Sequence, residues 1–525
     1  MLNLQNIPDV KKRLLRYDTT TFGNTGDSFR LFLNKIKVND FRHILNLEMS
    51  FDHSVTIISG TNKIGKTSLF LLIACSHENF FKFDTTKPDT VFRKHIWRDV
   101  LNFTAHESAA RNYSYELFWR IAGNHRTGEG KRAAGTGSWT GLAKSSIAVP
   151  RVNSKIQDRH VRIIDLERLV PTRNFSNSLM RKITGAPVRL HEDIEQAFNY
   201  IFELVPPIEI NRIGSHINKT AYLITTPNPG GNESYSSYNA ASGEESLLNI
   251  LVDIFEAPND SLIMIDELEA GIHPNIQRRL ADVIQYISWQ HRKQFIITTH
   301  SPSLLAAFPQ KSRKFIEKKH NGNYNVISSI SVNAAFSKMD SQAHPLVHLY
   351  CEDTEAKFII KSILTKINVT RKHFDRLVNV IISGPINQVR SDYETHERIY
   401  PQMKIKTGFC CVFDGDYKND PQYSIYHEHP TKHSFFLYPY IAPEKFLVKA
   451  YLDANPNASL QTALNYSDHH SLFHEMVNIG LAPDENQARN LCWQCFILTP
   501  DYRKLESDLV RFLLKTISHF SLQSD

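Results

Sequence analysis

Gly60, Gly65, Lys66 and Thr67 stand in GTNKIGKTS at the spacing G-x-x-x-x-G-K-[ST]. That pattern makes a backbone cradle for phosphate. The glycines let main-chain N–H groups point into one concavity, and a helix opening at Lys66 aims the positive end of its dipole at the same anion. Lys66 is placed to neutralise the β- and γ-phosphates and the Thr67 hydroxyl to ligate Mg2+, with Asn62 and Ser68 completing the loop. ATP and Mg2+ are the ligands this chemistry predicts. In SLIMIDELEAGIHP, an apolar run ends in Asp266 and Glu267. The first carboxylate suits the Mg2+ shell and the second can polarise an attacking water, and adjacent acids at a strand end are costly without a cation. KQFIITTHSP ends in His300, whose neutral imidazole can donate to a γ-phosphate and report its presence.

Two further groups carry chemistry. Ser242 and Gly243 open the apolar helical run SLLNILVDIF. Ser242 fits a helix N-cap with Glu245 as its reciprocal partner, and the same terminus can bind an anion. Farther on, Glu352 closes one apolar run, and Asp414 and Asp416 close another as D-x-D. These hard oxygen ligands can converge on Mg2+ if the runs are neighbouring strands. Cys492 and Cys495 read as two helix-face cysteines, the alternative being a zinc site with His469 and His470.

The elements that must position these residues follow from periodicity. Ser54 to Ala74 reads as strand, loop and helix, and Phe29 to Gly60 alternates as half-buried strands. From about Ser76 to Val161 an insertion intervenes. Its glycine- and serine-rich part, Gly123 to Ser146 with Arg126, Lys131, Arg132 and Lys144, is expected to be a mobile basic loop. Val161 to Leu166 reads as a buried strand followed by Arg168 and Arg173, and Thr226 to Ala241 as a long turn-rich loop. The first 30 residues are polar and expected to be peripheral. The expected organisation is 1–330, a linker at 331–345, an α/β domain at 346–453 and a helical region at 454–525.

Composition bounds the partners. The chain has 525 residues, 41% hydrophobic and 22% charged, which is an ordinary globular balance. No apolar run approaches the roughly 20 residues a membrane span needs, and the N-terminus lacks a signal peptide's apolar core. A cytoplasmic location without membrane contact is the expectation. Six scattered cysteines suit reduced thiols. A net charge of +7 permits nucleic-acid contact without arguing for it.

The ordered set of cradle, ASGEE, Asp266-Glu267, the Glu269-Ala-Gly271-Ile-His273-Pro274 stretch and His300 resembles ABC-type ATPase heads of the RecF, SMC and OLD group. Phe41-Arg42 resembles the start of those heads, where the Arg often lies near the nucleotide; a solvated strand-end Arg is the other reading. The resemblance implies an α/β fold and a homodimer in which Ser242 and Gly243 hold the γ-phosphate bound to the other copy. Ala241, Glu244 and Leu268 depart from the family pattern. The Q-loop role stays unassigned, Gln157 being the only glutamine between Thr67 and Asp165. The sequence after residue 346 resembles a TOPRIM domain, with Glu352, Asp414 and Asp416 as its metal ligands and Glu444 as a later acid; Asp353 and Glu355 depart from its pattern. From Val161 to Leu364 the chain is similar to the ATPase subunit of Septu-type anti-phage systems, which also accompany retrons. That likeness implies a partner HNH nuclease held in restraint, with a reverse transcriptase and its msDNA as further partners. A self-contained OLD-type ATP-gated, metal-dependent nuclease and a RecF-like repair ATPase are the alternatives.

Overall fold

The computed structural model describes residues 2–16, 29–83, 92–101, 106, 111–143, 155–166, 186–216, 219–319, 321–339, 345–370, 374–400, 402, 407–427 and 432–523. Arg168, Arg173 and Lys144 lie outside them. The chain forms two compact units, Met1–Ala335 and Phe336–Asp525. The expected α/β class is the class observed in both. Helix Val332–Met339 occupies much of the stretch expected to be a linker.

The first unit is built on an eight-stranded sheet with the strand order 324–328, 313–318, 55–60, 294–298, 262–265, 156–164, 77–83 and 92–94. The inner six strands run parallel and only the two edge pairs are antiparallel. Parallel strands are covered on both faces, which is why Val55–Gly60, Leu262–Ile265 and Gln294–Thr298 are buried at every position. Their common direction brings the ends of three adjacent strands, Gly60, Thr298 and Ile265, to one edge of the sheet.

A second, antiparallel sheet has the order 44–50, 31–41, 113–121, 124–132 and 139–141. Residues of both sheets and of the helix Lys66–Cys75 share one core, including Phe32, Val38, Ile58, Leu69, Ile73, Leu117 and Met264. The expected mobile loop is corrected here. Asn124–Arg132 pairs in register with Tyr113–Ile121 and then with Trp139–Gly141. Ala122 and Gly123, both at positive φ, make the two-residue turn that suits the twist of a hairpin. The glycines of this strand mark close packing, since a Cβ on Gly130 would stand 2.4 Å from the Tyr115 ring and one on Gly128 would stand 2.7 Å from Leu142. Trp139 stacks on Trp97 at 4.0 Å.

Two further expectations change. Gly231–Ser236, expected in a loop, pairs with Leu223–Asn228 as the edge of a four-stranded antiparallel sheet. Ile7–Arg16, expected to be peripheral, is a helix whose Ile7, Val10 and Leu14 lie on one face and bury against Tyr286.

The second unit has a four-stranded sheet, all parallel, in the order 378–382, 347–351, 408–413, 434–436. Helix Thr354–Thr370 and the helices from Pro443 to Gln523 share one core with it, from Leu349 and Val412 through Leu447 and Cys492 to Leu509. The C-terminal helices are therefore part of the same packing unit as the sheet. Among the described residues no helix is long and apolar enough to cross a membrane.

Candidate functional site

Gly65 caps the helix Lys66–Cys75 in the left-handed region at φ 96°. A Cβ there would meet His43 Nε2 at 2.7 Å, and one on Gly60 would meet the Ile316 carbonyl oxygen at 2.7 Å. Both glycines of the pattern are thus fixed by sterics. Lys66 is buried, and its ammonium donates to the Gly60 and Thr61 carbonyls at 3.2 and 3.5 Å and to His300 Nε2 at 2.9 Å. Burial lowers the pKa of Lys66, against the opposing pull of Asp266, Glu267 and Glu269. Burial and the Lys66 charge lower that of His300, which keeps the imidazole neutral at pH 7.

Asp266 is buried and accepts from two hydroxyls, Thr67 Oγ1 at 2.7 Å and Thr298 Oγ1 at 2.5 Å. Thr298 also accepts from the Glu267 N–H at 2.8 Å. Glu267 sits at φ 48°, an uncommon conformation for a side chain this long, so the backbone at the acidic pair is held by its surroundings. The Glu269 carboxylate accepts from the His300 N–H at 2.5 Å. Thr298 and Gln277 are supporting residues that the sequence did not single out, and Glu269, expected only as part of the stretch after the acidic pair, is the acceptor for His300. Gln277 is buried, donates to the Ile272 carbonyl at 2.6 Å and accepts from Ser301 Oγ at 2.6 Å, which ties the turn after Glu267 to the segment after His300. The Thr-Thr pair before His300 was the sequence signal for Thr298.

Arg42 is brought to the cradle. It turns at φ 55° and its guanidinium donates to Ser68 Oγ at 3.3 Å. Asn62 is exposed on the loop. At the helix Ser242–Glu256 the expected cap moves by one residue: Ala241 is the N-cap, and its N–H donates to the Glu244 carboxylate at 3.0 Å. Glu245, the expected partner, is instead buried. Ser242 is exposed as the first helical residue, and a Cβ on Gly243 would stand 3.0 Å from the Gly271 carbonyl oxygen, so this helix start touches the turn after the acidic pair.

The donor set fits magnesium and a triphosphate. The Thr67 hydroxyl and Asp266 carboxylate are already in contact, and Lys66 is satisfied by neutral acceptors that phosphate oxygens can replace.

In the second unit, Glu352 Oε1 accepts from the Asp414 N–H at 3.2 Å, which joins two neighbouring strand ends. Burial, and then the Glu352, Asp353 and Asp416 carboxylates, push the Asp414 pKa well up; burial raises Glu352 to about 7. A Cβ on Gly415 would stand 2.3 Å from the Leu437 carbonyl and 2.6 Å from Tyr440 Cα, so only glycine admits the segment that leads to Glu444. Glu444 is buried and raised to about 7, chiefly by burial. Two of the unusual acids have structural employment. Asp353 caps its helix by accepting from the Glu355 and Ala356 N–H groups at 2.9 and 2.8 Å, and Glu355 pairs with Arg489 at 3.0 Å. Among the described residues, the ligand atoms that gather within 4.8 Å of one another belong to Glu444, His469 and His470, not to the expected trio of Glu352, Asp414 and Asp416. Cys492 instead contacts Met476 in the core.

Residues 76–306, less than half of the chain, match the family model described as "AAA domain, putative AbiEii toxin, Type IV TA system". The matched region begins after the cradle and includes Ser242, Asp266, Glu267 and His300. Similar solved structures include the SMC head domain from Thermotoga maritima, at 15% identity and TM-score 0.34, over 56% of this chain and 98% of that one. The SmcHead bound to the C-winged helix domain of ScpA is also 15% identical, with TM-score 0.33 over 57% and 97%. The Smc head domain bound to the C-terminal domain of ScpA, from Pyrococcus furiosus, is 11% identical, with TM-score 0.32 over 57% and 96%. No curated protein matches the chain. The family match and the site geometry agree that the first unit is an ATPase-type domain.

Proposed function

We propose that this chain binds ATP with Mg2+ in the cradle and hydrolyses it at an interface between two copies. The observation that carries the reading is the meeting of Thr67, Asp266, Lys66 and His300 at adjacent strand ends. When bound, Mg2+ screens phosphate charge and polarises the bond to be broken. Thr67 and Asp266 would hold it. Lys66 exchanges its carbonyl partners for phosphate oxygens, and His300, neutral and anchored through Glu269, presents a donor to the terminal phosphate. Glu267, set by its backbone contact with Thr298, orients the attacking water and takes its proton. The exposed start of the helix at Ser242 and Gly243 is the part of the site offered to a second copy, whose bound nucleotide it would cap.

On the sequence resemblance, this hydrolysis serves an anti-phage complex in which the chain restrains an HNH nuclease, with a reverse transcriptase and msDNA as further partners. A second reading is favoured by the contact of Glu352 with Asp414 and their raised pKa values, namely metal-dependent nucleic-acid cleavage by the chain itself. The two are separated by incubating the purified chain with ATP, and with DNA and RNA in Mg2+ or Mn2+. The first reading expects ATP hydrolysis that is lost in Glu267→Gln, no nucleotide binding in Lys66→Ala, and intact nucleic acid. Cleavage abolished by Glu352→Ala or Asp414→Ala supports the second, and hydrolysis at the parental rate in Glu267→Gln refutes the assignment of the base.

A further inference from the structure

We propose that Glu444, His469 and His470 form a binding site for a borderline transition-metal dication, zinc. Their ligand atoms lie within 4.8 Å of one another, and His470 Nδ1 stands 3.2 Å from Glu444 Oε1. Two imidazoles and one carboxylate are a borderline-soft set, suited to zinc, whereas Mg2+ and Ca2+ select oxygen-only shells. A second observation points to a cation. Glu444 is 3% exposed, and its other oxygen, Oε2, is buried with no hydrogen-bond partner. An unmatched carboxylate oxygen at that depth is costly, and a metal ion would satisfy it.

The local backbone is built for this gathering. Asp468 caps the short turn of the histidines, accepting from the His470 N–H at 3.4 Å, and its carboxylate lies 3.2 Å from His469 Nδ1, the outer partner that orients a ligating imidazole. Pro443 starts the helix that carries Glu444 in its first turn. The negative charges of Asp416 and Glu444 reach His469 and Asp414 respectively, so the surroundings of the site are acidic. Asp414 Oδ1 is likewise buried without a hydrogen-bond partner. Three ligands leave coordination positions for water or a phosphate oxygen, as at catalytic rather than structural sites.

The test is a nucleotide-free titration of the chelator-stripped full chain with Zn2+ in competition with a chromophoric chelator, so that its outcome is independent of the cradle. The expected result is one Zn2+ per chain, undisturbed by excess Mg2+, retained in Cys492→Ser and weakened at least tenfold in His470→Ala and in Glu444→Gln. The His470 side chain is 63% exposed, so its truncation leaves the core intact. Zinc uptake equal in wild type, His470→Ala and Glu444→Gln overturns the site, as does absence of uptake in the wild type or displacement of Zn2+ by equimolar Mg2+.

Discussion

The Thr67 hydroxyl donates to Asp266 Oδ2 at 2.7 Å across 199 positions of the chain. Thr67 lies at the start of the helix that follows strand 55–60 and Asp266 follows strand 262–265; these strands are not neighbours, and the strand between them supplies Thr298, which holds the other oxygen of the same carboxylate. Parallel pairing brings the phosphate loop and the acidic strand end together, and the two hydroxyls hold the carboxylate in a metal-ready position.

Asp266→Asn keeps the shape of this junction and removes its charge. Steady-state phosphate release in Mg2+ is expected to fall on the order of 10²-fold, with nucleotide still bound. A parental rate in this variant would remove Asp266 from the metal shell.

Gly130→Ala is expected to destabilise the first unit by about 1–3 kcal/mol, because the added methyl meets the Tyr115 ring in a filled core. Gly135, with open space around it, is the control: Gly135→Ala should leave the denaturation midpoint nearly unchanged. Equal midpoint shifts in the two variants would return the segment to a mobile loop.

That segment shows where sequence reading stops. Glycine and serine content describes both a flexible loop and a strand pressed against bulky side chains, and what separates them is the presence of Tyr115 on the neighbouring strand and of Leu142 just after the next one. The cradle was legible because its pattern is contiguous and its backbone geometry local. Thr298 and Gln277 were not, nor was the partner of Glu269, since each works through a hydrogen bond to a residue on another segment. His469 and His470 were visible as a pair, with a zinc site shared with Cys492 and Cys495 as the alternative reading; the carboxylate that gathers with them is Glu444, while Cys492 contacts Met476.

His53 is fully buried, and burial, with the nearby Lys311 charge, lowers its pKa from 6.5 to about 4. The folded state therefore binds the proton less readily than the unfolded chain. Its contribution is fully present above pH 6.5 and is lost as the pH falls toward 4, amounting to about 3 kcal/mol over that window. In His53→Asn, denaturant unfolding at pH 4.5 and 7.5 should show a smaller acid loss than in wild type, whatever the offset from the smaller side chain. An identical acid loss would mean that His53 does not sense the fold.

The central claim is that two copies close over the nucleotide, each presenting Ser242 to the other's cradle, and the mass of the Glu267→Gln protein by sedimentation with and without ATP and Mg2+ tests it most directly. The account predicts a dimer that forms only with nucleotide and is abolished when the exposed Ser242 is changed to Arg. A mass unchanged by ATP, or an ATP-induced dimer indifferent to Ser242→Arg, would contradict it.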